Sequence, residues 1–185
     1  KLYAYWLTVN YREAYGIFAS NGILFNHESP RRGNSFITKK VIESVVKIKK
    51  GKQNILKIGN LDSRRDWGYA LEYVDAMWRM LQTDTPEDFV IATGEHHSVR
   101  ELIECSFMHV DIEIIWKGSG INEVGIDKKS NRILVEIDEY YFRPTEVDLL
   151  VGDASKAKKI LNWESKTKFK ELIQIMVDYE LQVIN

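Results

Sequence analysis

The sequence predicts an α/β protein in which parallel strands alternate with helices, joined to a smaller α+β lobe. Three observations carry that class. The short apolar run at 22–25 reads as a buried parallel strand, and 54–58 and 88–92 read as further strands. Between them lie stretches with apolar residues at helical spacing. After about residue 110 the alternation loosens, as in an α+β lobe.

The elements follow in order. Leu2, Trp6 and Val9 fall at helical spacing, so residues 1–15 read as a helix already under way at Lys1. Gly22-Ile23-Leu24-Phe25 reads as a buried parallel strand, followed by a polar loop. Ile37, Val41, Val45 and Ile48 line one face of the next helix. Residues 54–58 read as a strand, and a loop around Arg65 follows. Leu71, Val74, Trp78 and Leu81 define the face of a third helix, and 88–92 is again strand-like.

Ser98 with Glu101 three positions on is a capping box, opening a helix with Val99, Leu102 and Ile103 on one face. Residues 112–116 and 133–137 read as strands separated by a Gly/Asn/Lys loop. Asp153 is placed to cap a short helix ending near Ile160. Phe169, Leu172, Ile173, Met176 and Val177 define the last helix. No Pro/Gly/Ser-rich linker divides the chain, so its lobes are expected to pack closely.

Composition narrows the function classes. At 185 residues, one domain or two small lobes are expected, and 44% hydrophobic residues suffice for a core. The net charge is −1, which argues against a general nucleic-acid binder. Basic runs at 47–52 and 156–159 read as solvated helix ends, where Lys complements the dipole. The one cysteine, Cys105, excludes an internal disulfide and fits a reducing compartment; beside Glu104 in a helical run it reads as packed and inert. No apolar stretch approaches the roughly 20 residues that span a bilayer, and no secretory signal is visible. We therefore expect a cytoplasmic protein with no membrane partner. No metal-ligand spacing occurs, since adjacent His96 and His97 lack the i, i+4 geometry of a zinc pair.

Three polar clusters interrupt the periodicity and read as loops: Asn26-His27-Glu28-Ser29-Pro30-Arg31-Arg32-Gly33, Arg64-Arg65-Asp66-Trp67-Gly68, and Arg143-Pro144-Thr145-Glu146-Val147-Asp148. Arginine on a loop suits forked bonding to phosphate. The first cluster directly follows a strand, where ligands of open α/β sheets bind. Two readings stand open for each cluster. Residues 26–33 form either a ligand loop or an ordinary turn. Arg65 meets either a phosphate or its neighbour Asp66, and Arg143 with Glu146 contacts either a nucleotide or only itself.

Taken together with Tyr73-Val74-Asp75-Ala76-Met77-Trp78, Glu87-Asp88-Phe89-Val90-Ile91-Ala92-Thr93-Gly94 and Leu161-Asn162-Trp163, these strings resemble the GDP-mannose 4,6-dehydratase family. That family lies in the extended short-chain dehydrogenase/reductase superfamily. The resemblance runs over nearly the whole chain. It implies the C-terminal part of a Rossmann-type domain interleaved with a sugar-nucleotide lobe, the lobe lying mainly in 27–60 and 95–185. Lys1 matches the lysine of the family's Tyr-x-x-x-Lys pair. The pyrophosphate loop and the family's Tyr, Thr and Glu are then expected upstream, in a longer protein, and this piece alone is expected to be inactive.

The resemblance further implies NADP as cofactor, with Lys1, Leu24, His27 and Arg32 matching cofactor positions and Lys1 also catalytic. Asn26, Ile37, Lys40, Arg65, Arg143 and Glu146 match positions lining the GDP-mannose site. Arg32 matches a position reaching a neighbouring subunit's cofactor, which implies a homo-oligomer, dimer or tetramer. The implied reaction converts GDP-mannose to GDP-4-keto-6-deoxymannose, toward GDP-fucose and other GDP-deoxyhexoses. The alternatives are another nucleotide-sugar dehydratase or epimerase of the superfamily, or a non-catalytic sugar-nucleotide-binding module.

Overall fold

The computed structural model describes residues 1–141 and 149–184. Its helices are α1 (Leu2–Tyr15), α2 (Ile37–Lys49), α3 (Ala70–Met80), α4 (Val99–Met108), α5 (Ser155–Leu161) and α6 (Phe169–Val183). Its strands are β1 (Gly22–Leu24), β2 (Asn26–Glu28), β3 (Leu56–Ile58), β4 (Arg64–Arg65), β5 (Trp67–Tyr69), β6 (Phe89–Ile91), β7 (His97–Ser98), β8 (Ile114–Lys117), β9 (Val124–Asp127), β10 (Ile133–Ile137) and β11 (Leu149–Leu150). The chain divides into two compact units. The first comprises 1–27, 66–96 and 151–168, and the second 28–65, 97–150 and 169–185.

In the first unit, β1 and β6 pair in parallel, with Gly22 opposite Phe89 and Leu24 opposite Ile91. Tyr73, Ala76 and Met80 of α3, Phe89 and Ile91 of β6, and Ala157, Leu161 and Trp163 form one buried cluster. The expected face of α3 is corrected here. Leu71, Val74, Trp78 and Leu81 are exposed, and the buried side is the one carrying Tyr73, Ala76 and Met80. Both sides are apolar, so periodicity could not choose between them. Helix α1 has no buried residue and exposes Leu2, Tyr3 and Trp6. It is anchored by Arg12, whose guanidinium meets both oxygens of Asp88 at 2.7 and 3.2 Å.

Helix α5 starts one residue later than the sequence suggests. Ala154 occupies the cap position, while the Asp153 carboxylate accepts from the Ser155 amide at 2.9 Å. It ends at Asn162 in the left-handed conformation (φ 49°), which Asn tolerates well.

In the second unit, α2 buries Val41, Ile42, Val45 and Val46. Leu102, Ile103 and Phe107 of α4 and Leu172, Ile173, Met176 and Val177 of α6 are also fully or nearly fully buried. Ser98 accepts from the Glu101 amide at 3.1 Å, the expected cap of α4. A sheet of order β3-β10-β9-β8 combines a parallel β3/β10 pair with antiparallel neighbours. Strand β9 corrects the loop expected between 116 and 133. Gly125 lies at its centre because a Cβ would come within 3.0–3.1 Å of Val135, Ile114 and Trp116.

Two clusters read as loops contain short strands: β2 within the first, and β4 and β5 within the second. Lys39 and Glu180, both buried, form an ion pair between α2 and α6. Cys105 is half-buried, and burial pushes its thiol pKa up, so thiolate is suppressed.

Candidate functional site

The parallel pairing of β1 and β6 brings two chain segments to one end of the sheet: Phe25, Asn26 and His27 after β1, and Ala92, Thr93 and Gly94 after β6. Phe25 extends the ladder by donating its amide to the Ile91 carbonyl at 2.9 Å. His27 Nδ1 lies 2.9 Å from the Phe25 carbonyl. A carbonyl only accepts, so Nδ1 carries the proton, and a neutral ring has Nε2 as an acceptor. The ring stacks on Tyr73, with centroids 5.3 Å apart and planes at 30°. Tyr73 is fully buried and in turn meets Trp163 edge-on at 5.9 Å. Gly68 makes room for it, since a Cβ there would approach the tyrosine ring to 2.4 Å.

Asp66 organises the same end. Its fully buried carboxylate accepts from the Thr93 amide at 3.0 Å, the Thr93 hydroxyl at 2.8 Å and the Gly94 amide at 3.0 Å. A longer contact of 3.4 Å comes from the Gly152 amide. Gly94 itself has φ 77°, the left-handed region that favours glycine. Asp66 is thus engaged with the β6 end. Of the first unit's expected site residues, Leu24, Asn26 and His27 are drawn together by β1. Lys1 stands exposed at the head of α1, where its carbonyl accepts from the Tyr5 amide.

The second unit holds Arg32, Ile37, Lys40 and Arg65. Ile37 opens α2, and Lys40 stands three residues on, along the same face. The Lys40 ammonium lies 3.3 Å from the Tyr141 ring centroid, a cation–π contact. Burial lowers the Lys40 pKa, and the Asp138 charge partly opposes that. Arg65 on β4 pairs across the ladder with His97 of β7. His97 is fixed by stacking on Phe169 at 3.9 Å, with planes at 8°, and its Nδ1 is 2.7 Å from a Glu101 oxygen. Arg32 lies on the turn after β2, its guanidinium 3.5 Å from the Phe36 ring centroid. Arg143 and Glu146 fall outside the described residues.

The sequence marks Asp66 only as a possible partner of Arg65 and His97 only as one of an adjacent His pair, and it gives Tyr73 and Glu28 no role of their own. Asp66 and Tyr73 lie inside the recognised strings, but only contacts show what they hold in place. Among the described residues, no group of three or more His, Cys, Asp or Glu is placed to hold a metal ion. No helix among them is long and apolar enough to cross a membrane.

The sequence profile of the GDP-mannose 4,6 dehydratase family matches residues 1–176. The chain belongs to the GDP-mannose 4,6-dehydratase family. It is 57% identical over 184 residues to the GDP-mannose 4,6 dehydratase of Cricetulus griseus, covering 100% of this chain and 50% of that protein. It thus spans about half the length of the curated relatives it matches. Among solved structures it is similar to RMD from Pseudomonas aeruginosa complexed with NADPH. That match has a TM-score of 0.82 and 19% identity, over 99% of this chain and 55% of that one. It is also similar to dTDP-glucose 4,6-dehydratase from Bacillus anthracis in complex with NAD. There the TM-score is 0.73 with 16% identity, over 95% of this chain and 49% of that one. These likenesses agree with an α/β fold with parallel strand pairing.

Proposed function

We propose that the protein containing this chain dehydrates GDP-mannose to GDP-4-keto-6-deoxymannose, with NADP as cofactor. The observation that carries the reading is family membership over residues 1–176, including the strings around Asn26, Arg65 and Arg143. The residues of the chain also suit a nicotinamide nucleotide. Leu24 offers an apolar side chain at the end of a parallel strand, beside an imidazole held by Phe25 and Tyr73. An ammonium at Lys1 and a guanidinium at Arg32 supply donors that match ribose and phosphate oxygens. When bound, such a cofactor takes up a hydride reversibly.

In this reading, Lys1 serves the first oxidation. In a protein of the relatives' length, its positive charge lies beside a tyrosine four residues earlier and lowers that phenol's pKa toward working pH. Leu24 and His27 contact the cofactor, His27 through the ring nitrogen opposite its Phe25 bond. Asn26, Ile37, Lys40, Arg65, Arg143 and Glu146 hold the GDP-sugar: Arg65 and Arg143 at the diphosphate, Glu146 at sugar hydroxyls or the guanine edge. Arg32 reaches the cofactor of a neighbouring copy, in a dimer or tetramer.

The sugar lobe then lies mainly in 27–60 and 95–185, and the setting is cytoplasmic. The chain covers about half the length of its curated relatives, and by itself we expect it to be inactive. Incubating the full-length protein with GDP-mannose, a UDP-sugar and a dTDP-sugar tests the reading. Turnover of GDP-mannose above the others supports it. Preference for a UDP- or dTDP-sugar overturns it.

A further inference from the structure

Glu28, at the end of β2, is 2% exposed and has no part in the chemistry proposed above. Burying a carboxylate costs several kcal/mol unless its charge is matched and its oxygens are bonded. Both conditions are met here. The Thr38 hydroxyl, in the first turn of α2, donates to Glu28 Oε2 at 2.5 Å. Arg32 Nε lies 3.1 Å from the same oxygen. The Nε–H is not aligned on that oxygen, so the contact is a charge pair rather than a formed hydrogen bond.

The rest of the guanidinium is equally constrained. One face covers Phe36, and the arginine side chain is 17% exposed. The turn that carries it is closed by the Arg32 amide on the Ser29 carbonyl at 2.9 Å. It is tied down by the Lys39 ammonium on the Pro30 carbonyl, also at 2.9 Å, while Lys39 itself is paired with Glu180. Among the described residues no hydrogen bond engages the two terminal amino groups of Arg32. A planar guanidinium with its Nε edge against a carboxylate and one face on a ring keeps its terminal fork as the edge left for a further acceptor. That fork is the edge that grips phosphate bidentately.

We infer that Glu28 is a positioning residue, which holds Arg32 so that its terminal fork receives a nucleotide phosphate. The inference deepens the proposed function and rests on the reading of Arg32 as a phosphate contact. Glu28 touches no ligand itself. Its carboxylate, anchored by Thr38, fixes the guanidinium before the anion arrives and so reduces the ordering that binding would otherwise require.

The test is a double-mutant cycle in the full-length protein, with NADP+ binding measured by calorimetric titration and folding checked by thermal melting. Glu28→Gln keeps the shape and an acceptor for Thr38 but removes the charge that pairs with Arg32. It should weaken NADP+ roughly tenfold, near the lower end for a hydrogen bond to a charged group. Arg32→Ala should weaken it at least as much. The double variant should bind no worse than Arg32→Ala alone, because Glu28 acts only through Arg32. If Glu28→Gln does not fold, Thr38→Val removes the hydroxyl that anchors Oε2. It should give a smaller loss that also vanishes in the Arg32→Ala background.

The outcomes separate the two readings. Weakening by Arg32→Ala with wild-type affinity in Glu28→Gln and Thr38→Val overturns the role of Glu28 and leaves Arg32 as the phosphate contact. Equal losses from Glu28→Gln with and without Arg32 also overturn it. Wild-type affinity in Arg32→Ala removes the phosphate contact and the role of Glu28 together.

Discussion

Removing the Asp66 carboxylate tests how the end of the parallel pair is built. Its oxygens divide the work: Oδ1 takes the Thr93 amide and hydroxyl, and Oδ2 takes the Gly94 and Gly152 amides. Hydrogen bonds to a charged group contribute about 1.5–3 kcal/mol each, and they do not add fully. Gly94 is exposed, so water can replace the carboxylate at that amide, whereas Gly152 is buried. The 3.4 Å contact to Gly152 is long and weak. Counting the two Thr93 bonds and discounting the others, Asp66→Ala should cost about 3 kcal/mol.

Asp66→Asn keeps one oxygen but turns an NH2 toward donors on its other side. It should cost about 2 kcal/mol. Urea unfolding of the full-length protein measures both values, and hydrogen exchange at the Thr93 and Gly94 amides localises the effect. Faster exchange at these amides, with the Asn variant intermediate, is expected. An Asp66→Ala protein within about 0.5 kcal/mol of wild type, the range of ordinary surface substitutions, with unchanged exchange would refute the reasoning.

Other perturbations test separate parts of the account. The Arg12 guanidinium beside Asp88, helped by bonds from Asn21, holds the Asp88 carboxyl well below the usual carboxylate range. A depressed folded-state pKa gives stability that is present above the unfolded value near pH 4 and lost as pH falls toward the folded value. Asp88→Asn should therefore lower the melting temperature at pH 7, and the gap to wild type should close as pH falls below about 4; a gap independent of pH would contradict the pairing. Gly68→Ala should drive a methyl into the buried Tyr73 ring and cost about 1–3 kcal/mol, as overpacking does, while loosening His27. A wild-type melting curve would show that the ring can yield. Arg65→Ala and Arg143→Ala should each weaken GDP binding by about 1.5–3 kcal/mol and leave NADP retention nearly unchanged. Calorimetric titration with GDP measures this, and wild-type affinity in both would make these arginines structural.

Much of the fold was legible because burial imposes period. Helix α2 reads directly from Val41, Val45 and Ile48, all of which are buried. The run at Gly22 proved to be a strand in parallel pairing, but not the buried one its apolar character suggested, since Gly22 and Ile23 are exposed. Where an element has two apolar sides the pattern falls silent. Helix α3 carries Tyr73, Ala76 and Met80 on one side and Leu71, Val74 and Trp78 on the other, and only the fold shows which faces the core. Strand β9 was hidden because Gly118 and Gly120 precede it and Gly125 interrupts its alternation. Ladders of two or three residues, such as β4 and β7, are too short to show any period.

The site divides in the same way. Recognisable strings pointed to residues such as His27 and Arg65, whose types suit a ligand. The groups that orient them act across sequence gaps that carry no local signal. Tyr73 stacks on His27 although the two lie far apart in sequence, and His97 pairs with Arg65 through a two-residue ladder. Asp66 reaches Thr93 through a turn that no spacing rule anticipates.

The measurement that bears most directly on the proposed activity follows one atom. Full-length protein is given GDP-mannose carrying deuterium at carbon 4, and the product is analysed by mass spectrometry and NMR. The account predicts a GDP-sugar lighter by one water, with a ketone at carbon 4 and the deuterium now on carbon 6. An unchanged mass with inversion at carbon 4 would reveal an epimerase, and no turnover at all would leave a binding module; either result would contradict the account.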